Sequence, residues 1–268
     1  MPSGMNLFHM RQLTPAGDGA RLCYDARREK QVGDVSIIRI LSAGAAQAVV
    51  EAIAATYTRK TGKEIKAEFS AVGAMKARVV AGEAVDIVIL TVTLIDELIT
   101  SGHVAPGSRA DLGKVGTGVA VRAGTPLPDV SNERVLRGNL LTAAKLVCPD
   151  PATATAGKVV MRALERLDLA DTMKPHLQFF PNGYAAMRYL AGSRAPYEMG
   201  ITQITEILAN PGVTYVGPLP GDLQTMTIYS AGLSARAAEP AAARDFISRL
   251  TGAKARPVLA RAGYEFDH

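Results

Sequence analysis

The stretch Ile37-Ile38-Arg39-Ile40-Leu41-Ser42-Ala43-Gly44-Ala45-Ala46-Gln47-Ala48-Val49-Val50 decides how the chain folds. Its first five residues are apolar but for Arg39 and read as a buried strand beginning at Val35. Small residues follow, and then Ala46, Val49, Val50, Ile53 and Tyr57 recur at the spacing of one helix face. A strand, a small-residue turn and a helix start therefore come in that order. The pattern returns at Lys145-Leu146-Val147-Cys148, breaks at Pro151-Ala152-Thr153-Ala154-Thr155-Ala156-Gly157, and resumes as a helix with Val159, Val160, Ala163, Leu164 and Leu167. A helix start leaves backbone N–H groups unpaired and carries a partial positive charge, so small residues there admit an anion close to the backbone. Two such turns facing each other across a cleft would clamp an anion.

Working outward, Ile65 to Phe69 is a second strand that breaks at Ser70-Ala71-Val72-Gly73-Ala74 into a helix bearing Met75, Val79 and Val80. Asp86 to Leu90 is a third strand, apolar after its first residue as a covered parallel strand should be. Thr91 offers a hydroxyl cap to the helix of Leu94, Ile95, Leu98 and Ile99. Alternation of this kind predicts an α/β fold with a largely parallel sheet, its ligand outside the carboxyl ends of the strands, where Ser42 to Ala46, Ser70 to Ala74 and Thr91 lie. Gly113 to Ala123 reads as one glycine-studded strand at which the chain leaves the first unit. Later, Phe179-Phe180-Pro181-Asn182-Gly183-Tyr184 is another strand-to-helix entry, Glu198 to Gln203 a short strand, and Met226 to Leu233 a long one carrying the chain back. The organisation expected is a leader over residues 1–34, one lobe from 35–117 and 231–268, and a second lobe, 118–230, inserted into it. Two crossings between lobes are the hinge of a closing clamp.

Composition narrows the function classes. With 268 residues, 48% of them hydrophobic and 21% charged, the chain can bury the cores of two lobes. A net charge of +5 suits an anionic ligand, yet the basic residues are scattered, Trp is absent and no zinc-finger spacing occurs, which counts against nucleic acid. Cys23 and Cys148 form no framework, and His9, His103, His176 and His268 show no ligand spacing, so neither a metal nor another cofactor is expected. No apolar stretch is long enough to span a membrane, and residues 1–34 lack the apolar core of a secretory signal. As written, the chain is expected in the cytoplasm as a monomer.

The segment Ala152 to Val159 approaches a phosphate-binding loop, but Ala152 replaces its first glycine and Val159 its magnesium-binding hydroxyl, which removes nucleotide hydrolysis. Thr153 and Thr155 fit helix capping or a ligand contact equally. No Gly-x-Ser-x-Gly elbow, His-Glu-x-x-His pair or dinucleotide fingerprint occurs. Lys76, Arg78, Lys158 and Arg188 follow the turns and could neutralise carboxylates, although such charges are more often solvated. Tyr184 and Gln203 follow strand ends as hydrogen-bond donors, Tyr184 fitting the core as well.

Leu41 to Ala55, Phe69 to Ala74, Ala81-Gly82-Glu83-Ala84-Val85-Asp86-Ile87-Val88-Ile89 and Asp150-Pro151 through Gly157, taken together, resemble the molybdate-binding-protein-like branch of bacterial extracellular solute-binding proteins. The resemblance runs from Val35 to Phe266. It implies the type II periplasmic-binding-protein fold, a small anionic ligand between two lobes, a periplasmic location, and delivery to the permease of an ABC transporter. The family's molybdate binders hold the oxyanion with a serine in each of the first two turns and a tyrosine after the late strand. Here Gly44, Ala45 and Ala46, then Ala71, Val72 and Gly73, then Thr202 and Gln203 stand in those neighbourhoods, which counts against molybdate. Glu198 to Ile204 and Gly221 to Gln224 resemble a divergent subgroup to which aconitate isomerase is also similar.

Two functions follow. The first is capture of a small organic carboxylate or oxyanion, the binding residues being Ser42, Gly44, Ala45, Ala46, Val72, Gly73, Ala74, Thr91, Thr153, Thr155, Ala156, Gly157, Asn182, Gly183, Tyr184 and Gln203. The second is isomerisation of a small carboxylate such as aconitate in the same cleft, which needs a general base. Glu206 and Asp86 are the candidates by position, Asp86 reading as structural. In either case the first lobe offers mainly backbone N–H groups and the second most of the side-chain specificity, an asymmetry that suits a ligand larger than a tetrahedral oxyanion.

Overall fold

The structure, a computed structural model, describes residues 37–266. The expected leader, with Cys23 and His9, lies outside them, as does His268. The chain starts with β1 (Ile37–Ala43), a single 3-10 turn at Gly44–Ala46, and α1 (Gln47–Thr61). Gly62, at φ 72°, adopts the left-handed conformation that ends α1 and returns its N–H to Thr58, a role glycine fills without steric cost. Next come β2 (Glu64–Ser70), α2 (Val72–Val80), β3 (Ile87–Thr91), α3 (Val92–Thr100) and β4 (Ala110–Val115). The chain then passes through β5 (Thr117–Arg122), α4 (Glu133–Thr142), β6 (Lys145–Pro149), α5 (Thr155–Arg166), α6 (Ala170–Met173), β7 (Leu177–Phe180), α7 (Gly183–Gly192), β8 (Glu198–Gln203), α8 (Ile204–Leu208) and β9 (Val213–Pro218). It finishes with β10 (Thr227–Leu233), α9 (Pro240–Thr251) and α10 (Arg256–Arg261).

Two five-stranded sheets result, ordered β2-β1-β3-β10-β4 and β7-β6-β8-β5-β9. In each, four strands run one way and one, β10 in the first sheet and β5 in the second, runs against them, so the largely parallel sheet expected is interrupted by a single antiparallel strand. The expected single strand Gly113 to Ala123 is two strands broken at Gly116, one in each sheet. Its reading as one piece fails because β-rich apolar alternation runs through the crossing uninterrupted. The return crossing precedes Thr227 and not residue 231, since all of β10 is a strand of the first sheet. Gln224 on the return crossing pins the outgoing one: its Oε1 accepts from the Thr117 N–H at 2.9 Å and its Nε2 donates to the Thr117 carbonyl at 2.8 Å.

Alternation along the strands covers the second sheet on both faces. Val119 and Val121 of β5 and Leu146 and Cys148 of β6 pack with Val160 and Leu164 of α5, whereas Ala120 and Val147 pack with Met187 and Leu190 of α7. Cys148 is a buried small hydrophobe whose thiol burial pushes up to about 12. In the first sheet β3 is buried along its whole length, and Val49, Val50, Tyr57, Met75, Ile95, Leu98, Phe246 and Leu250 close the core around it. Val80, expected on the apolar face of α2, is 51% exposed, because Val79 takes the inward position in that last turn.

Candidate functional site

A cleft between the sheets is lined by Ala43, Gly44, Ala45, Ser70, Ala71, Val72, Pro149, Ala154, Thr155, Ala156, Asn182, Gly183, Gln203, Glu206 and Tyr229. It collects the ends of β1, β2, β6 and β8 and the helix starts that follow them. The 3-10 turn, α2 and α5 all begin without a side-chain cap, at Ala43, Ala71 and Ala154. Their first N–H groups have no intrahelical partner, and the small residues around them leave the backbone open to the cleft. The α7 start differs: Asn182 caps it, its side chain accepting from the Ala185 N–H at 2.8 Å.

Eight of the expected residues meet here: Gly44, Ala45, Val72, Thr155, Ala156, Asn182, Gly183 and Gln203. The others are placed elsewhere for identifiable reasons. Ser42 is buried in β1 and its hydroxyl donates to the Ala43 carbonyl at 3.0 Å; Ala46 is core. The Gly73 N–H donates across the cleft to the Thr153 carbonyl at 3.0 Å, which commits both groups to a contact between the lobes; Ala74 is half-buried behind it. Thr91 makes no hydroxyl cap: β3 runs straight into α3, and Thr91 still holds a ladder position opposite Tyr229. Gly157 packs against the preceding turn, where an added Cβ would lie 2.4 Å from the Pro149 carbonyl oxygen. Tyr184 stands behind the wall, its ring edge 3.9 Å from where a Gly44 Cβ would be.

The candidate cations are also absent from the cleft. Lys76 pairs with Glu97 and Arg78 with Glu68 and Glu83, while Lys158 and Arg188 are exposed. Asp86 is structural: it accepts from the N–H groups of Arg39 at 2.8 Å, Ala238 at 2.7 Å and Glu239 at 3.1 Å. Among the described residues no cluster of three or more His, Cys, Asp or Glu is arranged to hold a metal, and no helix is long and apolar enough to cross a membrane.

Two side chains on β8 and α8 give the cleft its chemistry. Gln203 is 2% exposed, and neither its Nε2 nor its Oε1 has a hydrogen-bond partner. Such a group loses its hydration without compensation, and in a cleft wall it is placed to pair with whatever enters. Glu206 is 5% exposed and faces no cation. Its Oε2 accepts from the Thr202 hydroxyl at 2.6 Å, and the backbone N–H groups of Gly183, Gln203 and Tyr184 also donate to the carboxylate. Burial outweighs these bonds and pushes the carboxyl up to about 7. Burial, and after it the same charge, holds the Tyr229 and Tyr264 hydroxyls above their ordinary range; Tyr184 is raised by burial, Glu51 and Glu206.

Glu206 was legible from its position just past Gln203, and Ser70 and Ala71 from the second small-residue break. Tyr229 was not, because only strand pairing brings β10 beside Thr91. Tyr229 and Ser70 also mean that the first lobe contributes side chains as well as backbone. The space enclosed is about 20 Å³, room for roughly one water.

A family model described as bacterial extracellular solute-binding protein matches residues 38–265. An aconitate isomerase of Pseudomonas sp is 29% identical over 237 residues, 85% of this chain and 87% of that protein. The molybdate-binding protein ModA of Haemophilus influenzae is 28% identical over 141 residues, 52% of this chain and 54% of that one. Among solved structures, the periplasmic molybdate-binding protein of Azotobacter vinelandii superposes with a TM-score of 0.75 at 23% identity, over 86% of this chain and 100% of that chain. The sulfate-binding protein SubI of Mycobacterium tuberculosis does so with a TM-score of 0.65 at 17% identity, over 85% and 86% of the two chains. At these identities the structural likenesses establish the fold, the type II periplasmic-binding-protein fold.

Proposed function

Because the chain belongs to the bacterial extracellular solute-binding protein family, we propose that its cleft captures a small organic carboxylate and closes on it. The observation that carries this reading is Gln203, an amide buried with both polar atoms unpaired in a wall where three uncapped helix starts converge. Amide donors and helix starts bind carboxylate oxygens without a compensating cation. The first turn, with Gly44 and Ala45 at the cleft and the Ser42 hydroxyl turned onto the Ala43 carbonyl, offers an oxyanion no hydroxyl, which favours a carboxylate over molybdate or sulfate. Delivery to an ABC transporter permease by the monomeric protein is part of the proposal. A melting-shift screen of cis-aconitate, citrate, malate, molybdate and sulfate tests it, since a ligand bound only by the native state raises the melting temperature. A shift with a carboxylate, reduced in Gln203→Ala, is expected; no shift with any member, or one confined to the oxyanions, overturns it.

Glu206 favours a second reading, in which the bound carboxylate also turns over. A carboxyl held near 7 within the cleft is suited to general base work at neutral pH, and an aconitate isomerase is among the relatives. The balanced step is removal of one proton from a methylene carbon by the Glu206 carboxylate, a one-carbon shift of the double bond, and return of a proton from the same carboxyl to the former vinyl carbon. Proton NMR of cis-aconitate in heavy water checks this. Conversion with deuterium incorporation, abolished in Glu206→Gln, is expected, and binding without turnover overturns it.

A further inference from the structure

We propose that Glu206 makes the cleft take up a proton together with its anion: ligand and Glu206 share one hydrogen between them, so a carboxylate is held in preference to the less basic tetrahedral oxyanions. The inference deepens the small-carboxylate reading and rests on it. Its basis is that one of the cleft's helix starts is already taken. The Gly183 and Tyr184 N–H groups at the start of α7, a ten-residue helix, point to Glu206 and not to open space. The fit is close, since an added Cβ on Gly183 would lie 1.8 Å from Glu206 Oε2 and 2.1 Å from Thr202 Oγ1. The other carboxyl oxygen, Oε1, stands against the first turn, 2.6 Å from where a Gly44 Cβ would be. The carboxyl thus sits between the lobes, where an arriving anion must meet it.

No cation offsets that meeting. The titratable groups around Glu206 are Tyr184 on α7, Tyr229 on β10 and Tyr264 after α10, with Glu51 on α1 facing Tyr184; all are neutral or acidic. Two ionised carboxylates about 4 Å apart, at the effective dielectric of a protein interior, are disfavoured by about a thousandfold. Sharing one proton removes the penalty, as with any carboxyl pair in one site. Gln203 completes the pattern. Its unpaired Nε2 donates to one oxygen of a carboxyl group and its unpaired Oε1 accepts from a hydroxyl or acid hydrogen. A carboxylate that shares the Glu206 proton pairs with Nε2, and a ligand hydroxyl would pair with Oε1; sulfate and molybdate, weaker bases than the last carboxylate of a tricarboxylic acid, hold a shared proton less well and offer Oε1 no hydrogen.

Calorimetric titration of the whole protein with cis-aconitate, sulfate and molybdate, from pH 5.5 to 8.5 in two buffers of different ionisation enthalpy, tests the proposal. On wild type, cis-aconitate is expected to take up close to one proton per molecule bound at about pH 8, its affinity falling up to about tenfold per pH unit above Glu206's own titration. Sulfate and molybdate are expected to bind at least about a hundredfold more weakly than cis-aconitate. Glu206→Gln keeps the shape, abolishes proton uptake, and brings the oxyanions to within about tenfold of cis-aconitate. Proton uptake is read on wild type, so a variant that fails to fold leaves the test intact. Binding without proton exchange at pH 8, or sulfate binding as tightly as cis-aconitate there, overturns the proposal while leaving anion capture standing. Absence of binding by all three at every pH overturns the small-anion reading, and this inference with it.

Discussion

The two halves of the cleft are built from the same unit, a strand running through a short turn into a helix start, and use it in opposite ways. Where β1, β2 and β6 end, the following helix starts carry no side-chain cap and are surrounded by alanine and glycine. Where β7 ends, Asn182 caps α7 and the Glu206 carboxyl takes the N–H groups that remain. One half is a bare positive surface; the other is a socket for the protein's own acid. The comparison teaches that charge complementarity in this fold is set by what fills a helix start, and less by cations, which are spent on surface pairs such as Arg78 with Glu68.

The most severe way to break the filled half is Gly183→Ala. Its methyl would occupy the place of Glu206 Oε2, forcing a buried carboxyl out of four hydrogen bonds. Overpacking and the lost bonds together are expected to cost about 4 kcal/mol in urea unfolding. A loss under about 1 kcal/mol would mean that the socket is loose.

The filled half also carries a pH signature. Glu206 is raised from 4.5 to about 7, so the native state holds a proton that the unfolded chain has released between those values. Stability from this group is fully present below about pH 4.5 and is lost as pH rises through about 7. The expected decline is on the order of 3 kcal/mol. Urea titrations across that window should show it in wild type and a flatter profile in Glu206→Gln; equal slopes would assign the decline to other groups.

Gln203 separates function from stability at the boundary of the halves. Its amide has no partner to lose, so Gln203→Ala is expected to leave unfolding free energy unchanged or raise it by up to about 1 kcal/mol. Carboxylate affinity is expected to fall about tenfold, the loss of one good hydrogen-bonding group. Calorimetry and denaturation on the same preparation check both. A fall in stability would show that the amide is paired within the protein.

Much of this was legible in the residues, for physical reasons. Helical spacing after Ala46 and after Thr155, with strand-length apolar runs before each, gave the α/β alternation and the helix starts. Residues chosen for being small at those starts divided between two roles that spacing does not separate. Gly44 and Ala156 line the cleft, whereas Gly157 is small because α5 presses on the Pro149 carbonyl. Thr153 lies in the right turn, yet the N–H groups of Ala152, Thr153 and Ala154 are all turned inward onto Asp150. The strand exchange that places β10 in the first sheet and β5 in the second is a long-range pairing with no local signal, and with it went Tyr229. Glu206 could be placed but not weighed, since its titration follows from burial that appears only once α7, α8 and the first turn converge.

The contact between the lobes yields the smallest and most discriminating effect. Gly73 heads α2 in the first lobe and donates to Thr153 in the second, and an added Cβ would lie 3.0 Å from that same carbonyl oxygen. In Gly73→Ala the oxygen must give by a few tenths of an ångström, which weakens the closed arrangement without touching either core. Alanine near the start of α2 costs the fold nothing and gains up to about 1 kcal/mol over glycine. Affinity for the carboxylate is therefore expected to fall about three- to fivefold at undiminished stability, the loss of less than one net hydrogen bond. The change should appear in the dissociation rate, because closure follows encounter. An unchanged rate would mean that the lobes close without this bond. Abolished binding would mean instead that the Gly73 N–H leaves Thr153 to hold the ligand, which would return it to the open half of the cleft.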